Sequence, residues 1–311
     1  MRLTLGHVRE AGLNANCRSA GAVPLQGGGN IWMVRPSSWD TKVPGYRRHP
    51  AASLAARGVR CRCRYRGRRS AAMAEARSAS SGDMPRSLLA VLDFDGTVTV
   101  EDCLQEVLRR HLPADQSELP GAVPRRQLTP VAAVQGALAE LRLSPAQVIA
   151  EYVDAAVLLQ GFAAFVEGIL ANGGRVAVIS LGFREGIERI WQREGLPRVD
   201  VFASKLAYAG LALSLVPCRR FGSCERCGPQ GCKGNVVRGL RRPGELVAAF
   251  GNGSADLCLA AEADVVFARG HLARLCDQQG TAYFALEDYN LAWGKLRDWW
   301  RVASVSPAHL D

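Results

Sequence analysis

The 311-residue sequence predicts an α/β fold, a Rossmann-like parallel sheet with helices on both faces and a small helical cap inserted after the first strand. Three observations predict it. Apolar runs of strand length recur after Ser87, helical stretches lie between several of them, and one long block holds helices only. Strands that alternate with helices call for a sheet buried on both faces.

The elements follow in order. "SLLAVLDFD" (87–95) is a buried strand that ends in two carboxylates. From Thr99 to Gly173 no convincing strand occurs; "LQEVLRRHL", "PVAAVQGALAEL", "SPAQVIAEYVDAAV" and "GFAAFVEGILANGG" are helices separated by Pro or Gly. "RVAVISLG" (175–182) is the second strand, and "FREGIERIWQREG" is a helix behind it. "ELVAAFGNG" (245–253), "ADVVFARG" (263–270) and "AYFALED" (282–288) complete the sheet, with "LCLAAEA" helical between the first two. The expected organisation is a leader (1–86), a core (87–98 and 174–311) and a helical cap (99–173). "WGKLRDWW" reads as a terminal amphipathic helix that packs its tryptophans on the core.

The net charge of +10 suggests nucleic acid until it is located. Met1 to Arg86 holds 16 Lys and Arg against 4 Asp and Glu, and the remainder holds 23 against 25. The basicity therefore belongs to the leader, and no nucleic-acid partner is expected for the body. The leader is rich in Arg, Ala and Ser and poor in acids, as organelle transit peptides are, which points to chloroplast or mitochondrion. Translation from Met73 or Met84 would instead make the protein cytoplasmic. No stretch has the apolar length of a membrane span.

"VLDFDGTVTV" (91–100) carries the chemistry. In an open parallel sheet the ligand sits beyond the carboxyl ends of the strands, where Asp93 and Asp95 fall. Two carboxylates there repel unless a cation or proton intervenes, and Mg²⁺, a hard ion that takes oxygen ligands, suits the gap. Asp93 is then a competent nucleophile toward phosphorus, and Asp95 an acid and base. Gly96 allows backbone amides near Phe94 to approach the phosphate, and Thr97 adds a hydroxyl. A calcium loop with the same start would need a Glu at its twelfth position, where Leu104 stands.

"DFDGT" followed by a helical insertion resembles the haloacid dehalogenase superfamily in its phosphatase branch. The resemblance spans about residues 88 to 300 and implies further site residues. "VISLG" places Ser180 and Gly182 at the phosphate, "GCKGNVV" supplies the cation Lys233, and "FGNGSAD" supplies Asp256 to the metal. Asn252 departs from the family pattern, which has an acid there, so weaker Mg²⁺ binding is expected. The order of motifs looks like the methionine-salvage phosphatases that act on 2-hydroxy-3-keto-5-methylthiopentenyl-1-phosphate, and more loosely like phosphoserine phosphatases. By that resemblance Asp102, near the start of the cap, contacts substrate; an ordinary helix N-cap is the alternative. The implied activity is Mg²⁺-dependent hydrolysis of a small phosphorylated metabolite. A weakened member that binds a phosphorylated ligand as a regulator is the competing reading, and the oligomeric state is left open.

Four of ten cysteines, Cys218, Cys224, Cys227 and Cys232, crowd into one loop before Lys233. They could hold a structural Zn²⁺, form a redox-responsive disulfide or remain free thiols. Cys103, Cys258 and Cys276 read as buried small residues.

Overall fold

The structure is a computed structural model and describes residues 86–117, 129–209 and 212–304. The leader up to residue 85, with Met73 and Met84, lies outside the described residues. The strands are β1 (Leu88–Leu92), β2 (Arg175–Phe183), β3 (Asp200–Ala209), β4 (Ala212–Val216), β5 (Leu246–Gly251), β6 (Val265–Ala268) and β7 (Phe284–Ala285). They form one sheet in the order β4-β3-β2-β1-β5-β6-β7, parallel throughout except for the antiparallel β3–β4 pair.

Connections leave β1 toward β2 on one side, and the chain later returns to place β5 on the other. The end of β1 is therefore the crevice where such a sheet binds ligands. Alternation along β1 sends Leu88, Ala90 and Leu92 into one core layer and Leu89 and Val91 into the other. Both faces are covered, so the strand reads as an unbroken apolar run.

The edge pair β3–β4 was not expected. Neither strand is buried along its whole length: Lys205 and Tyr208 are exposed and Ser214 is half-buried, so the unbroken apolar run that marks a buried strand is missing. The free edge is covered locally: Gln135 Nε2 donates to Leu213 O (3.2 Å), and Leu215 N donates to Gln135 Oε1 (2.7 Å).

Between β1 and β2 lie α1 (Cys103–His111), α2 (Ala114–Ser117), α3 (Pro130–Glu140), α4 (Pro145–Ala155) and α5 (Phe162–Ala171). Their starts are locally encoded. Asp102, Thr129 and Ser144 are N-caps, Pro follows the last two, and Ser144 with Gln147 closes a capping box. The insertion is shorter than the sequence suggested. Helix α5 lies against β2, and its Phe165 ring meets Phe250 of β5 edge-on at 5.1 Å, so it belongs with the sheet. Helices α1 to α4 remain over the site.

The other helices are α6 (Arg184–Arg193), α7 (Lys233–Leu240), α8 (Leu257–Ala261), entered through a 3₁₀ turn at Ser254–Asp256, α9 (Gly270–Gln279) and α10 (Tyr289–Ser304). Trp299 and Trp300 of α10 are buried, and Trp300 Nε1 donates to Arg86 O (2.7 Å), so these rings are not available to stack on bases. No helix among the described residues is long and apolar enough to cross a membrane.

Candidate active site

The carboxyl ends of β1, β2 and β5 surround a cavity of about 350 Å³. Asp93 is fixed at its floor because its backbone N–H donates to Phe250 O (2.9 Å), which carries the β1–β5 ladder one residue past the strand. Its carboxylate accepts from Lys233 Nζ (2.5 Å) and from Thr97 Oγ1 (3.4 Å). Burial, then the charge of Asp256, pushes Asp93 up to about 7, against the pull of Lys233.

Lys233 opens α7 and is 2% exposed. A cation at a helix amino end opposes the helix dipole, so its neighbours must hold it there. Its Nζ also donates to Asp256 Oδ1 (2.7 Å). Burial alone would lower its pKa, but Asp256 and Asp93 more than offset that and keep it charged. The other oxygen of Asp256 accepts the amides of Asn252 (3.0 Å) and Gly253 (2.9 Å), which folds the loop after β5 around it.

Asp95 is held by groups from both layers. Its Oδ2 accepts from Tyr152 Oη of α4 (2.9 Å) and from Ser180 Oγ (3.4 Å), and its Oδ1 accepts from Cys103 N (3.3 Å). Burial raises its pKa well above the carboxylate range, and the charges of Asp102 and Asp93 add to this. Asp95 is thus poised as a proton donor. Gly182 makes room for it, since a Cβ there would fall 2.3 Å from Asp95 Oδ2 and 2.7 Å from Tyr152 Oη.

The other expected residues divide into two groups. Asp93, Asp95, Asp102, Ser180, Gly182, Lys233, Asn252 and Asp256 all line the cavity. Phe94, Gly96 and Thr97 do not. The Phe94 ring is buried in the core, and the Thr97 hydroxyl is spent on Asp93. Gly96 turns the chain at φ +66°, and a Cβ there would meet Asn252 Nδ2 at 2.2 Å, so glycine lets Asn252 close on the loop after β1. The Ser180 hydroxyl accepts from Gly182 N (2.9 Å), which engages it with its own turn as well as with Asp95. Asp102 both caps α1 through Gln105 N (2.9 Å) and lines the cavity; burial raises its pKa.

Sequence reasoning missed Tyr152, one apolar-face residue of an amphipathic helix, and Arg226, an exposed cation at the cavity wall. It also misassigned the thiols. Cys218 lies outside the cluster, whereas Cys258, read as an ordinary buried residue, joins Cys224, Cys227 and Cys232 with all four sulfurs within 4.8 Å of one another. Two chain segments distant in sequence meet there, and no loop spacing reveals that. Cys103 and Cys276 are buried apart from it.

A family model described as haloacid dehalogenase-like hydrolase matches residues 90–261. The chain belongs to this family. It is 28% identical over 204 residues to a 2-hydroxy-3-keto-5-methylthiopentenyl-1-phosphate phosphatase of Exiguobacterium sibiricum, over 63% of this chain and 90% of the relative. A protein of the same name from another Exiguobacterium strain is 26% identical over 64% of this chain and 92% of its own length. In fold, the chain is similar to a substrate-bound phosphoserine phosphatase complex (TM-score 0.51, 15% identity, 66% of this chain and 96% of that one). The family and the names of these relatives agree on a phosphoric monoester hydrolase.

Proposed function

We propose that this haloacid dehalogenase-like hydrolase is a Mg²⁺-dependent phosphatase that works through an aspartyl-phosphate on Asp93. The observation that carries the reading is the split between two neighbouring aspartates. Asp93 is paired with Lys233, while Asp95 accepts a hydrogen bond from Tyr152 and has its pKa raised by burial and by the charges of Asp102 and Asp93.

The donor set fits a hard divalent cation. Of the four carboxylates that line the cavity, Asp93, Asp95 and Asp256 stand with Asn252, and the buried cation among the lining residues is Lys233. Asp93, the backbone carbonyl of Asp95, Asp256 and the side-chain oxygen of Asn252 would hold Mg²⁺. Bound there, it supplies Lewis-acid compensation for the charge on the phosphoryl oxygens. The neutral Asn252 leaves the site one charge short of the family pattern.

Asp93 attacks phosphorus in line with the departing alcohol, and Asp95 gives its proton to that oxygen. Asp95, then ionised, takes a proton from the water that opens the acyl-phosphate and returns to its starting state. Lys233 neutralises the nucleophile before attack and the phosphoryl oxygens after it. Tyr152 and Cys103 N–H keep the Asp95 carboxyl aimed.

A small phosphorylated metabolite of the 2-hydroxy-3-keto-5-methylthiopentenyl-1-phosphate kind suits the cavity. Its cap side is apolar, formed by Leu104, Pro130, Ala133 and Val134, which matches a thioether tail, and Arg226 adds a cation for an anionic group. The test is phosphate release from enol-phosphates and phosphoserine with and without Mg²⁺, with Asp93→Asn alongside. The expected result is Mg²⁺-dependent release, strongest on the enol-phosphate, that falls about 10⁴-fold or more in the variant. Turnover that survives the substitution would overturn the assignment of the nucleophile.

A further inference from the structure

We propose that Cys224, Cys227, Cys232 and Cys258 form a structural zinc site that clamps the catalytic loops from behind. The geometry is that of a tetrathiolate centre rather than a disulfide. Cys258 Sγ lies 3.7 Å from Cys224 Sγ and 3.5 Å from Cys227 Sγ. A disulfide needs about 2.05 Å, whereas zinc–sulfur bonds of about 2.3 Å in a tetrahedron put the sulfurs roughly 3.8 Å apart. No disulfide is present among the described cysteines.

The local chain is shaped for a metal. Cys224 and Cys227 sit on a tight turn closed by Gly228 N to Cys224 O (2.9 Å), and Gly228 takes φ +70° to complete it. The turn aims Cys227 N at Cys224 Sγ (3.2 Å), the kind of amide-to-sulfur bond that stabilises a ligating thiolate. Four sulfurs without an oxygen donor select a soft ion, so the cluster discriminates against the Mg²⁺ that suits the neighbouring cavity. Binding replaces S–H with S–Zn, and the displaced protons pass to solvent.

The position of the cluster gives it a task. The loop between β4 and α7 is long and has little regular structure of its own, the sort of segment that needs a staple. Cys232 immediately precedes Lys233, and Cys258 follows Asp256 by two residues. Between them the helices touch backbone to backbone, since a Cβ on Gly234 would fall 2.6 Å from Cys258 O. A metal that ties Cys232 to Cys258 therefore fixes the distance between the side chains of Lys233 and Asp256. Cys227 itself lines the cavity, so the clamp also forms part of the substrate wall.

The test is metal analysis of the full chain purified under reducing conditions without added chelator, with Cys258→Ser and Cys218→Ser beside it. One zinc per chain is expected in the wild type and in Cys218→Ser, falling at least tenfold in Cys258→Ser. Because Cys258→Ser could fail to fold, wild-type protein reconstituted with Co²⁺ provides a second readout. Thiolate-to-cobalt charge-transfer absorption with the intense visible bands of a tetrahedral centre supports the site. Absence of both zinc and that spectrum, with the four thiols freely titratable or paired as disulfides, overturns it. So does loss of zinc in Cys218→Ser with retention in Cys258→Ser. None of these readouts depends on turnover, so the zinc site and the phosphatase reading fail separately.

Discussion

Two clusters of ligands stand back to back on the same two short segments, the start of α7 and the turn into α8. Lys233 and Asp256 face the oxygen-lined cavity, while Cys232 and Cys258 face the sulfurs behind it. The oxygen cluster is electrostatically unresolved. It holds more carboxylates than cations, and burial with neighbouring negative charge raises the pKa of Asp95 and pushes that of Asp93 up to about 7. The sulfur cluster is spatially resolved, with four donors converging on one point. On the proposed reading the oxygen side carries the chemistry, and the sulfur side holds the two segments that bring Lys233 and Asp256 together.

The sharpest way to break that comparison is to remove the shared cation. Lys233→Met leaves Asp93 and Asp256 facing each other without the cation between them. Loss of charge stabilisation predicts a fall in kcat of about 10²–10³-fold, and the orphaned buried carboxylates predict a loss of about 3–5 kcal/mol in denaturant unfolding. Zinc content should stay at the wild-type level in the folded fraction. If the metal leaves with the lysine, the two clusters are one cooperative unit and the comparison fails.

A second test uses pH. The unfolded Asp93 carboxyl loses its proton near 3.8, whereas the folded one keeps it until about 7. Between those values the folded state binds more protons, so stability is fully present below about 3.8 and is lost as pH rises through about 7. In Mg²⁺-free buffer the contribution is at most about 4 kcal/mol. Asp93→Asn should flatten this decline and be more stable than wild type near pH 8, measured by urea unfolding. An equally steep decline in the variant would place the frustration elsewhere.

The smallest effect concerns aim. Tyr152→Phe removes the donor to Asp95 Oδ2, and the loss of one hydrogen bond to a carboxyl predicts a kcat lower by about 3–10-fold. That donor favours the ionised form, so without it the Asp95 pKa should rise further and the alkaline limb of the rate profile should move to higher pH. A lower kcat with an unmoved limb would mean that Tyr152 only packs.

Much of the reacting centre is legible in the chain because several of its residues sit where local rules put them. Asp93 and Asp95 end an apolar run and Ser180 ends another, whereas Lys233 and Asp256 are legible only through the motif order of the family that the sequence resembles. Tyr152 has no such mark, because a buried tyrosine on an amphipathic helix looks like core until its hydroxyl is seen against Asp95. The β3–β4 hairpin escaped for the opposite reason, as its exposed residues dilute the apolar signal that marked the central strands.

The sequence by itself determined which strands carry carboxylates at their carboxyl ends, where the helices start, and that the positive charge lies outside the catalytic body. These are short-range properties, set by hydrophobic period and capping chemistry within a few residues. Only the tertiary structure decided that α5 belongs to the sheet, that Tyr152 reaches Asp95 across 57 positions, and that Cys258 rather than Cys218 completes the sulfur cluster. Those pairings depend on how the layers dock. The packing of α7 against α8 brings together groups whose separation along the chain carries no information about their separation in space.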